Sequence, residues 1–342
     1  MNKNTKTALI VALSLFGAGV LIWLCVSLGV GFDYSKLSGG FFRSENGTVA
    51  GETSAEAEHI AKNIDEKGQD IEFDLSSAYV TVEPSADGKI HLTYDNAEDC
   101  YFEFKETDDS LTLKQKQQFG YFFGFMFIND APQTEVVLSL PARREGLLDI
   151  NGVSGGISIS DLNLRDSSKI YSVSGEISIE NCKTASVEAG TTSGDIQLAS
   201  INTESVKATT VSGSISLSDI SGGIPVTLAS TSGEVYAENV KAKDLEVGTV
   251  SGGLTLKNVS GSRAILSSTS GGVKLGGADF LEIEFETVSG DISGTVAGSS
   301  EDYTVYTETL SGSNSLSGHR GSGERKLELS STSGSFDIGF ED

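Results

Sequence analysis

Residues 152–156 read GVSGG and satisfy the G-x-S-x-G pattern, in which a strained turn lifts a nucleophilic serine above a sheet. A nucleophile at Ser154 would need a helix after it, but the alternating run ISIS follows, the pattern of a strand. Carboxylates offer a second chemistry. Glu176, Asp195, Glu234 and Asp291 each stand two residues after the serine of a Val/Thr-Ser-Gly tripeptide, at an outward position. Stacked carboxylates can hold Ca²⁺ or act as acid and base on a glycosidic bond. Only Glu176 and Asp195 lie in successive copies of the tripeptide; Glu234 and Asp291 are three copies apart. The column also lacks the Arg or Lys that binding an acidic polysaccharide requires, so a solvated face that keeps the protein soluble is the competing reading. The histidines are His59, His91 and His319, and HExxH, CxxC and nucleotide-binding fingerprints are absent from the sequence. No catalytic, cofactor-binding or metal-ligating residue is assigned; Ca²⁺ is the one ion the acidic column leaves open.

The serine at 154 is one of ten. A Val-, Thr- or Leu-Ser-Gly tripeptide recurs with serines at 154, 174, 193, 212, 232, 251, 270, 289, 311 and 333, spaced by 20, 19, 19, 20, 19, 19, 19, 22 and 22 residues. A catalytic serine is not needed ten times, whereas a structural corner is. Alignment on that serine gives apolar residues six and four before it, such as Val206 and Ala208 or Ile283 and Phe285, and three and five after it, such as Ile196 and Leu198. A further apolar column lies eight after, at Leu162, Cys182, Ile201, Ile220, Val240 and Val259. The period of two on each side of the corner is that of a strand with one buried face. No unit of this size encloses its own side chains, so the units must stack, each strand pairing with its equivalent above and below. The glycine after each serine suits a corner with positive φ or close backbone packing. The serine hydroxyls are placed to bond along the column or to corner amides. Four after the serine, Ser158, Ser178, Gln197, Ser216, Tyr236, Thr255, Lys274 and Ser293 form a flat, largely hydroxylated surface.

Before the repeats, residues 8–30 contain no charge, long enough to span a bilayer with some tilt. Lys3 and Lys6 precede this run and Asp33 follows it, which places a short N-terminus in the cytoplasm and the rest outside. The formal charge is −24, and since residues 1–30 carry only Lys3 and Lys6 the remainder carries −26; nucleic acid, which needs a basic face, is excluded as a partner. Of the three cysteines, Cys25 lies in the span, and Cys182 occupies an aliphatic column four coils from Cys100, roughly 19 Å at about 4.8 Å per strand step, too far for a disulfide.

Residues 41–52 read as a linker, and Ala57, Ile60, Ala61 and Ile64 suit a short amphipathic helix. Strand-like runs then lead to the repeats and are expected to form less regular early coils and a cap over the solenoid's open end. Among them, residues 119–128 bring Phe119, Tyr121, Phe122, Phe123, Phe125 and Phe127 together without a charge. This stretch is either buried against the solenoid end or an exposed loop that meets the membrane surface or a membrane partner.

The anchor, the lead-in ending VVLSLPAR, the stretch LDINGVSGGISISDL and serial TVSGDIS-type units resemble the bacterial β-strand-repeat family named for adhesins, a group of largely unknown function, over residues 71–338. Members in Gram-positive bacteria include membrane-anchored accessory proteins of cell-envelope stress operons. The resemblance implies a fold and carries no catalytic residues. The last two repeats, spaced by 22 residues with Asn314 and Phe336 at the inward position, depart from the pattern and suggest a closing cap.

The expected architecture is all-β: a parallel β-solenoid, a single-stranded β-helix of about 19–20 residues per coil, with one N-terminal transmembrane helix. The segments are 1–31, cytoplasmic tip and anchor; 32–69, linker and short helix; 70–145, early coils and cap with the Phe-rich loop; and 146–342, the regular solenoid. The expected function is a non-enzymatic, adhesin-like or cell-envelope-associated binding or scaffold protein on the outer side of the cell membrane. Cell-wall glycan or a membrane protein is the expected partner. The alternatives are a glycan-cleaving β-helix enzyme using Glu176 and Asp195, and an accessory regulator of an envelope-stress sensing complex.

Overall fold

The computed structural model describes residues 58–97, 100–117, 120–122, 125–127, 134–319 and 321–341. They form an all-β parallel solenoid of about ten turns, and the only helical turn among them is the 3₁₀ segment Ser300–Asp302. Among the described residues no helix is long and apolar enough to cross a membrane; the apolar run 8–30 lies outside them.

Each repeat lays down two strands that meet at the Ser-Gly corner, as Ser168–Ser172 and Ile177–Glu180 do around Ser174. Both pair in parallel with the next coil, Ile170 beside Ala189 and Ile179 beside Leu198. The inward columns fill the interior: Ile170, Ile177, Ile196, Ala208, Ile215, Leu228 and Val235 are fully buried. Cys182 lies among these aliphatics, where burial raises its thiol pKa. Cys182 and Cys100 are both buried and free.

The corner glycines are required by close approach. A Cβ on Gly175 would sit 1.9 Å from the carbonyl oxygen of Gly155, and on Gly213 1.8 Å from that of Gly194, so each coil rests on the bare backbone of its neighbour. Positive φ, the other reason weighed for these glycines, holds in this column only at Gly312. The left-handed positions instead form a second corner seven residues after the serine: Asp161, Asn181, Ser200, Asp219, Asn239 and Asn258, with φ between 51° and 59°, then Gly277. Asn and Asp tolerate this region best among residues with a side chain. Here they also bond along the column, Asn239 Nδ2 donating to Asp219 Oδ1 at 3.0 Å and Asn258 Nδ2 to Asn239 Oδ1 at 3.2 Å.

At the C-terminal end the stacking order departs from the chain order. Arg325–Ser333 pairs on one side with the tail of Val273–Thr287, Ser331 beside Thr287, and on the other with Tyr303–Ser311, Ser331 beside Thr309. The last coil is thus intercalated between the Ser289 and Ser311 coils, and the Ser311 coil is outermost. Asn314 closes this end, its Nδ2 donating to Thr307 Oγ1 at 2.8 Å and its Oδ1 accepting from the Leu316 amide at 2.9 Å.

The N-terminal end mirrors this arrangement. Asp70–Asp74 lies between Leu148–Gly152 and Ser110–Gln117, and Tyr79–Pro84 between Ile157–Ser160 and Glu135–Leu140. Gln115 stands in for the corner missing from the outer coil: its Oε1 accepts from the Ser76 and Ser77 amides at 2.8 and 2.9 Å. Antiparallel strands finish the cap, Cys100–Glu106 on Ser110–Gln117 and Ile90–Asn96 on Glu135–Leu140. The short helix expected through Ala57, Ile60, Ala61 and Ile64 is instead the strand Glu58–Ile64, antiparallel to Ile90–Asn96. The spacing of four between Ile60 and Ile64 fits either period, and the neighbouring strand edge decides it. The guanidinium of Arg144 is buried here against Glu66 and the carbonyl of Gln69, tying the cap to the first repeat.

Candidate binding surfaces

All ten corner serines are exposed, in one column along the solenoid. Ser154 donates from Oγ to the carbonyl of Ser76 at 3.1 Å, and the strand Ile157–Ser160 follows it, so the G-x-S-x-G match is a corner. In six repeats the hydroxyl that holds the corner amide belongs to the residue two before the serine, a column the serine alignment did not single out; Thr287 and Ser331, at the same place before Ser289 and Ser333, are buried without a hydrogen bond among the described residues. Gly175 N–H donates to Ser172 Oγ at 2.8 Å, Gly194 N–H to Thr191 Oγ1 at 3.0 Å and Gly233 N–H to Ser230 Oγ at 2.8 Å. In those six repeats the exposed serine hydroxyl is left to the outside. Beside them runs a column one residue earlier, Val153, Val173, Thr192, Val211, Thr231, Val250, Thr269 and Val288, partly exposed throughout and 38% exposed at Val173. Hydroxyl and methyl groups thus alternate along one ridge at the strand repeat, about 4.8 Å.

The four outward carboxylates are exposed, and three of them are engaged with a neighbouring coil. Asp195 Oδ1 accepts from the Ser214 amide at 2.7 Å and Asp291 Oδ1 from the Ser335 amide at 2.8 Å, each fixing the adjacent corner. Glu176 Oε1 accepts from Gln197 Nε2 at 2.7 Å. Glu234 points to solvent, with Ser214 and Gly253 at the equivalent positions on either side. The structure therefore brings Glu176 and Asp195 into adjacent coils and leaves Glu234 and Asp291 apart. Among the described residues no group of three His, Cys, Asp or Glu side chains is placed to hold a metal ion. The histidines stand away from the corner column: His59 bonds Asp95 at 2.7 Å, His91 bonds Asp87 at 2.7 Å, and His319 stacks on Phe340.

On the strand face before the corner, Tyr171 lies over Gly190, whose Cβ would meet the ring at 2.8 Å. Burial, with Glu188 beside it, raises the phenol's pKa. Burial also works against ionising Glu188, but Lys207, 2.5 Å away, and Tyr171 outweigh it and lower its pKa. This face is a charge-paired, closed surface.

In the Phe-rich stretch, Gly120–Phe122 and Phe125–Phe127 pair antiparallel in a two-stranded sheet of their own. Phe119 and Phe123, and the side chains of Tyr121, Phe122, Phe125 and Phe127, lie outside the described residues.

A rod of stacked coils with a Ser-Gly corner, a left-handed Asn/Asp corner and an N-terminal end capped by antiparallel strands defines the chain as a parallel β-solenoid repeat protein. More particularly, it belongs to the Toastrack family, DUF4097, whose model matches residues 68–230 and 225–339. Among solved structures it is similar to a "putative lipid binding protein" from Parabacteroides distasonis at 14% identity and TM-score 0.41, covering 84% of this chain and 97% of that one. It is also similar to a "putative adhesin" from Bacteroides fragilis, at 12% identity and TM-score 0.32, covering 84% and 100%. A "putative cell adhesion protein" from Clostridium sporogenes matches at 11% identity and TM-score 0.22, again over 84% and 100%. No curated protein matches.

Proposed function

We propose that the chain is a membrane-anchored, extracytoplasmic, non-enzymatic solenoid that serves as an adhesin-like or cell-envelope-associated binding scaffold. The observation that carries this reading is the ridge of exposed serines beside the Val/Thr column. One modest surface motif is repeated along a rigid axis, which suits many weak contacts with a polymer or an extended partner whose repeats are held at once. The carboxylates at 195 and 291 support the same reading, because their bonds to corner amides serve the scaffold. The apolar run 8–30 and the lysines before it support anchoring with the solenoid outside.

The test is to incubate the full-length protein, held in neutral detergent, with isolated cell-wall sacculi and envelope polysaccharides, with and without Ca²⁺, and to assay sedimentation and released sugar together. The expected result is co-sedimentation without release, weakened by replacing exposed corner serines with bulky residues. Release that is lost in a Glu176→Gln/Asp195→Asn double variant would identify a glycan-cleaving enzyme instead. Neither binding nor release would move the search to a membrane partner of the Phe-rich hairpin, the reading in which the chain is an accessory to a stress-sensing complex.

A further inference from the structure

The two ends of the solenoid are finished differently. Antiparallel strands cover the outermost N-terminal coil, whereas the outermost C-terminal strand, Tyr303–Ser311, pairs on one side with Arg325–Ser333 and on the other with no described strand. Thr304 Oγ1 donates to the Gly323 carbonyl at 2.8 Å, which ties the start of this strand to the lead-in of Arg325–Ser333, and residues 305–311 have no strand on their other side among the described residues. Its sequence, YTVYTETLS, contains none of the lysine, proline or glycine that blunts exposed edges. Tyr306 and Leu310 are 55% and 50% exposed on its outward face.

The charges beside this edge select what can join it. Along the outward face the register aligns Tyr306 with Glu328 and Glu284, and Glu308 with Ser330 and Glu286. Lys326 lies 3.1 Å from Glu282 and 2.8 Å from Glu328, and Arg263 lies 3.4 Å from Glu282 and 2.8 Å from Glu284. These two cations serve the inner glutamates, while Glu286 and Glu308 have no cation partner among the described residues. Burial, with Glu284 and Glu328, raises the Glu286 pKa, consistent with an uncompensated patch. A second copy joining edge to edge would set one such patch beside another on a chain of formal charge −24.

We propose that the Tyr303–Ser311 edge is a strand-addition site for a basic, extended polypeptide segment of another protein, with Lys or Arg opposite Glu308 and apolar side chains beside Tyr306 and Leu310. Backbone hydrogen bonds supply affinity in this mode, and alternate side chains supply choice of partner. Opposite charges directly across a strand pair favour the addition, and like charges oppose it. The proposal goes beyond the scaffold reading, since it uses the end of the rod and not its serine ridge.

The test uses full-length protein in neutral detergent and four nine-residue Thr/Val peptides. One carries lysines at alternate positions, one carries glutamates there, and two are the lysine peptide N-methylated on alternate amides along one edge or the other. Fluorescence polarisation at low salt should show the lysine peptide binding about fivefold or more tighter than the glutamate peptide, and Glu308→Lys should reverse that order. N-methylation along the pairing edge should abolish binding. Leu310→Ser, at an exposed position, should weaken the lysine peptide without changing the melting temperature. Equal binding of the lysine and glutamate peptides, retained binding of both N-methylated forms, or indifference to Glu308→Lys would overturn the proposal. So would a dimer, seen by sedimentation velocity, that Glu308→Lys leaves intact. Sedimentation of Glu308→Lys with sacculi should match wild type, which separates failure here from failure of the scaffold reading.

Discussion

Gly334 stands on the carbonyl oxygen of Gly290, two repeats earlier in sequence, and Gly312, which lies between them in the chain, stands on Gly334. A solenoid wound in simple order would stack 290, 312 and 334. Intercalation places Arg325–Ser333 inside, paired on both sides, while Phe336–Glu341 pairs along its length only with Ile292–Ala297 and meets the Ser311 coil at the single bridge Asn314–Phe336.

This order can be read by cross-linking. Glu284 and Glu328 are direct partners, one strand step of about 4.8 Å apart, whereas Glu284 and Tyr306 are two steps apart, about 9.6 Å. A Glu284→Cys/Glu328→Cys variant should oxidise to a disulfide and Glu284→Cys/Tyr306→Cys should not, since the bond needs Cα atoms within about 7 Å. Peptide mapping by mass spectrometry decides; the opposite result would mean stacking in sequence order.

The corner glycines predict a steep contrast between two substitutions of one chemical type. Gly213→Ala places a Cβ 1.8 Å from the Gly194 carbonyl oxygen, while Gly253→Ala meets nothing nearer than Gly272 O at 3.7 Å. The first should destabilise by roughly 1–3 kcal/mol or more, as overpacking against backbone does, and the second by well under 1 kcal/mol. Urea midpoints of the two variants provide the comparison.

Much of this architecture was legible in the sequence because the repeat supplies ten superposed views of one coil. Columns such as Val187, Val206 and Val226 alternate cleanly, and a one-residue slip would turn each of them outward. The intercalated ends were not legible, because inward residues such as Leu327 and Leu329 fit any neighbouring coil equally well and pattern does not encode stacking order. The strand Glu58–Ile64 is ambiguous in sequence because apolar residues four apart satisfy both the helical and the strand period. The structural role of Asp195 and Asp291 had a faint signal: each is followed, at the equivalent place in the adjoining coil, by a serine whose amide it receives. The same signal marks no role for Glu234.

The left-handed corner predicts an order among substitutions at Asn239. This residue has φ 56° and bonds both neighbours in its column. Asn239→Ala should cost about 1–2 kcal/mol from backbone conformation alone, besides losing both bonds. Asn239→Gly relieves the backbone term and should fall between wild type and Ala, whereas Asn239→Val should be the least stable. A different ranking in chemical denaturation, with Ala equal to Gly, would show that the backbone conformation is not what selects asparagine here.

Glu286 makes stability depend on pH in a direction that can be worked out. Burial is the largest cause holding its pKa above the ordinary glutamate value, and Glu284 and Glu328 add to it. The folded chain therefore keeps this proton to higher pH than the unfolded chain does. Stability contributed by the group is lost as pH rises from the unfolded value through the folded one, and is regained on acidification. The ionised carboxylate is disfavoured only in the folded state, by burial and by Glu284 and Glu328. Glu286→Gln should consequently melt higher than wild type at pH 7, and the gap should narrow as the pH is lowered through the raised folded pKa toward the ordinary glutamate value. The difference between the two proteins isolates this residue from the other acids, which titrate in both. Parallel thermal melts from pH 7.5 to 4.5 supply the measurement. A variant that melts lower than wild type at pH 7, or a gap that does not change with pH, would mean that Glu286 is compensated by a cation and that the patch beside the Tyr303–Ser311 edge is not free to receive one.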